Sequence, residues 1–165
     1  MKVLISEKRI HRRIKELAAL LAKENAHYVV VLKGAMVFFT YLMRELRRKG
    51  AEVNFSVVKL SSYHGTKTSG NVVLELDVKE DIRGKNVIII EDIVDTGLTV
   101  DFLKKRLMKK GAKGVKVCTL LDKKERRKVQ CTPDVVGFDI PDKFVVGFGL
   151  DYRQKYRDLP YVGVK

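Results

Sequence analysis

The stretch Val87-Ile88-Ile89-Ile90-Glu91-Asp92-Ile93-Val94-Asp95-Thr96-Gly97-Leu98-Thr99 decides the fold. Together with Asn86, its first residues make a near-continuous aliphatic run, the pattern of a parallel strand covered on both faces. The run ends on two adjacent carboxylates. A short loop with a third acid, two hydroxyls and a glycine then leads into Val100, Leu103 and Leu107, which recur at helical spacing. Helix-terminal N–H groups and hydroxyls suit a phosphate, and Gly97 lets the backbone come close to one. The paired acids would repel a phosphate but suit sugar hydroxyls or Mg²⁺. Taken singly, Asp95 or Thr96 reads as the N-cap of the helix. Three acids, two threonines and a glycine after a buried strand point instead to a site.

Working outward, Ile10, Ile14, Leu17 and Leu21 predict an amphipathic helix with Ser6 as its N-cap. His27–Leu32 reads as a buried strand. Phe38, Phe39, Leu42, Met43 and Leu46 mark a second helix that Gly50 stops. Glu52–Leu60 reads as a long strand, Ser61–Asn71 as a polar loop and Val72–Leu76 as a short strand. The third helix closes at Gly111. Val115–Leu121 follows as a strand, then Val135–Phe138 and Phe144–Leu150 as later, shorter ones. Strands alternating with helices predict an α/β domain with a mainly parallel central sheet. Ligands of such sheets bind beyond the carboxyl ends of the strands, here after Leu32, Ile90 and Leu121.

The chain of 165 residues is long enough for one domain with a sizeable core, and its 45% hydrophobic content excludes a disordered tail. No apolar run reaches the roughly 18 residues of a membrane span. Met1–Ile10 has no apolar signal core. Cys118 and Cys131 make neither a disulfide framework nor a metal site, so a reducing cytoplasm is the expected home. Lys and Arg total 34 against 20 Asp and Glu, a net charge of +14 that attracts anions in general. The basic residues are spread over Arg12–Lys15, Arg44–Lys49, Lys104–Lys110 and Lys123–Lys128, and the first three groups fall on solvated helix faces.

The stretch from Val87 to Thr99 is similar to the phosphoribosyl-diphosphate (PRPP) motif of type I phosphoribosyltransferases. From about Val3 onward the chain resembles the hypoxanthine-guanine branch of that family. Val31-Leu32-Lys33-Gly34-Ala35 resembles its pyrophosphate loop, and Leu60-Ser61-Ser62-Tyr63 the start of its mobile loop. Leu120 to Lys124 resembles its purine-contacting loop, and Val136 to Gly147 its purine-stacking segment. Leu150-Asp151-Tyr152 and Tyr156-Arg157-Asp158-Leu159-Pro160 complete the likeness.

The resemblance implies a type I phosphoribosyltransferase fold in a single domain over 1–165. Its core would cover about 10–122, with a small hood built from the N-terminal segment and about 123–165, and a mobile loop at about 61–72. It implies transfer of 5-phosphoribosyl from PRPP to N9 of hypoxanthine or guanine, with Mg²⁺ as cofactor. Asp95 would be the catalytic acid or base. Glu91, Asp92, Asp95, Thr96, Gly97 and Thr99 would bind the ribose phosphate. Lys33, at a non-proline cis peptide, would bind pyrophosphate with Gly34 and Arg157. Ser62 and Tyr63 would belong to the closing loop. Lys123, Phe144 and Val145 would hold the purine, and Glu91, Asp92 and Asp151 would hold Mg²⁺. A lysine offers donors only, which favours a 6-oxopurine over adenine at Lys123. A homodimer or homotetramer is implied, without a membrane partner. The alternatives within the fold are a xanthine-preferring enzyme and a regulator that binds RNA, the latter predicting binding that falls steeply with salt.

Overall fold

In the computed structural model the aliphatic run lies at the centre of a six-stranded sheet. Residues 1–63 and 71–165 are described, without the side chains of Ser62, Tyr63 and Asn71. The chain runs β1 (Lys2–Ile5), α1 (Glu7–Leu21), β2 (Ala26–Leu32), α2 (Ala35–Arg48), β3 (Asn54–Tyr63), β4 (Asn71–Leu76) and β5 (Asn86–Val94). It continues through α3 (Leu98–Lys109), β6 (Gly114–Asp122), a 3-10 turn (Lys124–Arg126), β7 (Val135–Asp139), β8 (Val145–Val146) and β9 (Val162–Val164). The large sheet has the order β4-β3-β2-β5-β6-β7, and only β4 pairs antiparallel.

Alternation along the central strands feeds two separate cores. Ile88 and Ile90, with Tyr28, Val30, Cys118 and Leu120, face α1 and α2. Val87 and Ile89, with Val29, Val31, Val58 and Val117, face α3. Both sides are therefore covered, which is why β5 reads as an unbroken aliphatic run. Each fully buried aliphatic side chain here contributes about 1.5–3 kcal/mol relative to exposure. Ser6 caps α1 as expected, its Oγ accepting from Arg9 N at 3.3 Å. The α1 stripe Ile10, Ile14, Leu17 and Leu21 is buried. Gly50 (φ +84°) ends the α2 region.

The structure departs from the sequence-based expectations at four places. Both chain ends are strands: β1 pairs antiparallel with β9, and β9 with β8, in a small second sheet. Each of these strands is too short to carry a readable alternation. β3 runs to Tyr63, paired through Ser61, Ser62 and Tyr63 with Val73, Val72 and Asn71, so Ser61–Tyr63 and Asn71–Val72 are strand rather than loop. The part of the expected loop from 64 to 70 lies outside the described residues. β7 joins the main sheet beside β6, which extends that sheet past residue 122. Gly137 allows the approach, since a Cβ there would stand 2.4 Å from the Leu120 carbonyl oxygen. Finally, only Val145 and Val146 of Phe144–Leu150 are strand. Gly147, Phe148 and Gly149 all have positive φ and turn the chain sharply.

Candidate active site

β5 delivers Glu91 and Asp92 at its carboxyl end. Glu91 is buried, and its Oε1 accepts from Asp92 N at 3.2 Å. Asp92 Oδ1 accepts from Ile93 N at 2.7 Å. Burial, reinforced by the neighbouring Asp92 charge, pushes the Glu91 carboxyl well above its ordinary range. The loop after β2 closes on this pair. The Leu32–Lys33 peptide is cis. A Cβ on Gly34 would stand 1.9 Å from Asp92 Oδ2, so any larger residue there would displace that carboxylate.

The chain past Asp92 wraps a cavity of about 80 Å³ lined by Glu91, Asp95, Thr96, Gly97 and Thr99, among others. Gly97 (φ +84°) precedes α3, and no side chain caps the helix from that position. Thr96 Oγ1 makes only a 3.4 Å contact with Leu98 N. The first turn of α3 therefore keeps donors and positive dipole for an anion. Asp95 is not a cap. Its Oδ1 is buried without a hydrogen-bond partner, and its nearest cation is Arg126 Nε at 3.6 Å.

Lys123 follows β6 and is buried to 4% exposure, with Nζ 3.9 Å from Asp142 Oδ1. Its backbone N–H donates to the Val94 carbonyl at 2.9 Å, tying the loop after β6 to the loop after β5. Phe144 is an exposed aromatic (53%) edge-on to Tyr152, with ring centroids 5.8 Å apart. Val145, next to it, is buried in β8.

A fourth group gathers around Arg157. Its Nη1 donates to Gly149 O at 2.6 Å and its Nη2 lies 3.2 Å from Asp151 Oδ1. Asp151 Oδ2 accepts from Gln154 N at 2.8 Å, and Lys33 Nζ reaches Gln154 Oε1 at 3.5 Å. The Arg157 charge also bears on Asp92. Gly149 (φ +100°) approaches the Gly34 carbonyl so closely that a Cβ would meet it at 2.2 Å. Lys33, Gly34, Asp92, Asp151 and Arg157, far apart in the chain, are thus one neighbourhood.

The comparisons with known proteins agree with this arrangement. The phosphoribosyl transferase domain model matches residues 5–153. The hypoxanthine-guanine phosphoribosyltransferase of Lactococcus lactis is 46% identical over 168 aligned positions, covering 99% of this chain and 90% of that protein. The chain belongs to the hypoxanthine-guanine phosphoribosyltransferase family. Among solved structures, the hypoxanthine phosphoribosyltransferase of Staphylococcus aureus superposes with a TM-score of 0.92 at 38% identity, over 99% of this chain and 90% of that one. The Trypanosoma cruzi hypoxanthine phosphoribosyl transferase, studied for the role of its C-terminal region in oligomeric state and activity, gives 0.93 at 36%, with the same coverages.

Against the residues expected from the family, the structure gathers Glu91, Asp95, Thr96, Gly97 and Thr99 around one cavity. It gathers Lys33, Gly34, Asp92, Asp151 and Arg157 in a second group of contacts. Lys123 is linked to the first group through Val94. The side chains of Ser62 and Tyr63 lie outside the described residues. The three carboxylates expected to hold Mg²⁺ do not form one cluster. Among the described residues no three His, Cys, Asp or Glu side chains converge on a metal position. Asp151 is instead engaged by Arg157, which stands between it and Asp92 electrostatically. The donor set still fits Mg²⁺, which is commonly held by one or two carboxylates, water and substrate phosphates rather than by an all-protein cage. Buried carboxylates of raised pKa at the end of β5 are what such a cation would offset.

Sequence reading missed Asp122, Arg127 and Gln154. Asp122 and Arg127 form a buried ion pair, Nη2 to Oδ1 at 2.5 Å. The charged run Lys123–Lys128 gave no sign that Arg127, besides Lys123, turns inward.

Proposed function

We propose that this chain is a purine-salvage enzyme that transfers 5-phosphoribosyl from PRPP to N9 of hypoxanthine or guanine, giving the nucleoside monophosphate and pyrophosphate. One observation carries the reading. At the carboxyl end of β5 an uncapped helix terminus, Asp95 with a buried oxygen that lacks a hydrogen bond, and the buried Glu91 carboxylate line one cavity, with Asp92 next to Glu91 in the chain. An anion, a proton donor and sugar hydroxyls are the three kinds of ligand such groups bind, and a ribose phosphate joined to a purine combines all three.

In this reading the first turn of α3, with Thr96, Gly97 and Thr99, holds the 5′-phosphate. Glu91 and Asp92 hold the ribose hydroxyls. Lys33, Gly34 and Arg157 hold the pyrophosphate, the guanidinium fork matching its oxygens. Lys123 donates to the 6-oxo group, Phe144 stacks on the ring and the Val145 backbone reads its edge. The bond from the anomeric carbon to pyrophosphate breaks while N9 of the base bonds to that carbon, and Asp95 takes the proton from N7. Positioning and charge stabilisation supply most of the acceleration. Glu91, Asp92 and Asp151 are the residues that would hold Mg²⁺, together with substrate oxygens, and the ion would supply charge neutralisation for the leaving group. Ser62 and Tyr63 belong to the loop that excludes water.

We extend the reading to one domain over 1–165, with the β1-β9-β8 sheet in the hood, and to a homodimer or homotetramer. The T. cruzi relative supports an oligomer tied to the C-terminal region. We extend the reading also to a cytoplasmic location, for which two free thiols, Cys118 and Cys131, are the support. No helix is long and apolar enough to cross a membrane among the described residues.

The test is a spectrophotometric assay with PRPP and Mg²⁺ and each of hypoxanthine, guanine, xanthine and adenine. Turnover of hypoxanthine or guanine, abolished by EDTA, is the expected result. Folded protein that binds PRPP yet converts no base would overturn it.

A further inference from the structure

We infer that Arg127 is a positioning residue that sets the direction of the Asp95 carboxylate and locks the phosphate loop to the purine loop. The inference rests on the proposed reaction. The Arg127 side chain is largely buried (15% exposed) and uses its whole guanidinium. Its Nη1 donates to the carbonyl oxygens of Val94 at 3.1 Å and Asp95 at 3.0 Å. Its Nε donates to Cys131 O at 2.8 Å and its Nη2 to Asp122 Oδ1 at 2.5 Å.

The two carbonyls on Nη1 belong to the peptide planes on either side of Asp95. Holding both planes fixes the Asp95 backbone dihedrals, and these set where its Cβ and carboxylate point. Asp95 needs such help, because its Oδ1 is buried with no hydrogen bond of its own and only the half-exposed Arg126 at 3.6 Å beside it. The stem of the same side chain sits behind Gly97, where a Cβ would meet Arg127 Cδ at 3.3 Å. Two backbone bonds run alongside it: Lys123 N to Val94 O and Lys128 N to Thr96 O, both 2.9 Å. Residues 123–131 thus form a brace under the phosphate loop, and Arg127 is its pin. Asp122, 1% exposed at the end of β6, supplies the counter-charge. A planar fork of fixed donors suits this work, whereas the compact ammonium of a lysine cannot span the same acceptors.

The experiment compares wild type with Arg127→Ala, Arg127→Lys and Asp122→Asn as full chains. Circular dichroism establishes folding, and kcat and KM are measured for PRPP and hypoxanthine. Arg127→Ala is expected to lose about 100-fold in kcat, the scale of an ångström of misplacement, with both KM values raised. Guanidinium chloride at tens of millimolar, against matched sodium chloride, is expected to restore at least about tenfold of that loss by refilling the vacated fork. Asp122→Asn is expected to show a smaller loss in the same direction. Should Arg127→Ala fail to fold, Arg127→Lys decides: reduced kcat in folded protein supports the role, and wild-type kcat and KM overturn it. Folded Arg127→Ala with wild-type kcat, or slow and indifferent to guanidinium, also overturns it. A wild type that converts no base would refute the reaction itself, a result distinct from all of these.

Discussion

The two ends of the central sheet treat buried polar groups in opposite ways. At the amino ends, His27 of β2 meets Ser56 of β3, Nε2 to Oγ at 2.7 Å, and Ser56 Oγ donates to Glu80 Oε2 at 2.5 Å. His27 and Ser56 are buried, and each finds a protein partner. At the carboxyl ends, Asp95 Oδ1 and Asp122 Oδ2 are buried without a hydrogen bond, the only such side-chain atoms among the described residues, and Asp95 Oδ1 has only the longer 3.6 Å pairing with Arg126. Both belong to neighbouring strands, just past β5 and at the end of β6. Leaving a buried polar atom unbonded costs about 1–3 kcal/mol. A chain that satisfies its polar groups at one end of the sheet and not at the other marks the second end as the place where a ligand completes the bonding.

The largest consequence concerns Asp95. Asp95→Asn keeps the shape but cannot accept the N7 proton, so kcat should fall roughly 10²–10⁴-fold. PRPP affinity, measured by calorimetry, should change little. A wild-type kcat would remove Asp95 from the proton transfer.

Next comes Gly34→Ala. Its Cβ would occupy space 1.9 Å from Asp92 Oδ2. Asp92 must move, and kcat/KM for PRPP should drop on the order of 100-fold. The two cores remain intact, so thermal unfolding should shift far less than the kinetics. Equal loss of both would mean that Gly34 serves folding rather than the site.

The amino end should behave in reverse. Ser56→Ala strips His27 and Glu80 of their shared partner and should lower stability by about 1–3 kcal/mol in denaturant titrations. Its kcat/KM should match wild type, since the network lies at the other end of the sheet. A kinetic defect without a stability defect would erase the contrast between the ends.

The smallest effect is a pH dependence. Burial, aided by the Lys85 charge, holds the His27 pKa below its ordinary 6.5 against the opposing pull of Glu80. The unfolded chain then binds a proton at higher pH than the folded one. The contribution is fully present above 6.5 and is lost as pH falls through the lower, folded value. Stability should decline on acidification in this range, and His27→Gln should flatten the decline. Identical slopes would contradict the burial argument.

How much of this was legible beforehand depended on the scale of the signal. β5, α3 and the loop between them were readable because an aliphatic run, a carboxylate pair and a helical stripe follow each other without interruption. β1 and β9 were not, because strands of Lys2–Ile5 and Val162–Val164 are stabilised by pairing with each other across the whole chain length. Phe144–Leu150 read as a short strand. Only the packing of Gly147 against the Tyr161 carbonyl and of Gly149 against that of Gly34 explains why it turns. The site residues Glu91, Asp92 and Asp95 carried their own context in sequence. Arg127 did not: its role comes from the carbonyls that surround it, and a run of basic residues conceals that it, besides Lys123, turns inward.

The most direct test of the account is a crystal structure of this protein with inosine monophosphate. The expected complex places purine N7 within about 3.2 Å of the Asp95 carboxylate. It also places the 5′-phosphate on the N–H groups of the loop from Thr96 to Thr99. A nucleotide seated instead in the larger cavity of about 430 Å³, lined by Lys104, Lys105, Met108 and Cys131 among others, would contradict the claim that the unpartnered end of the sheet is the active site.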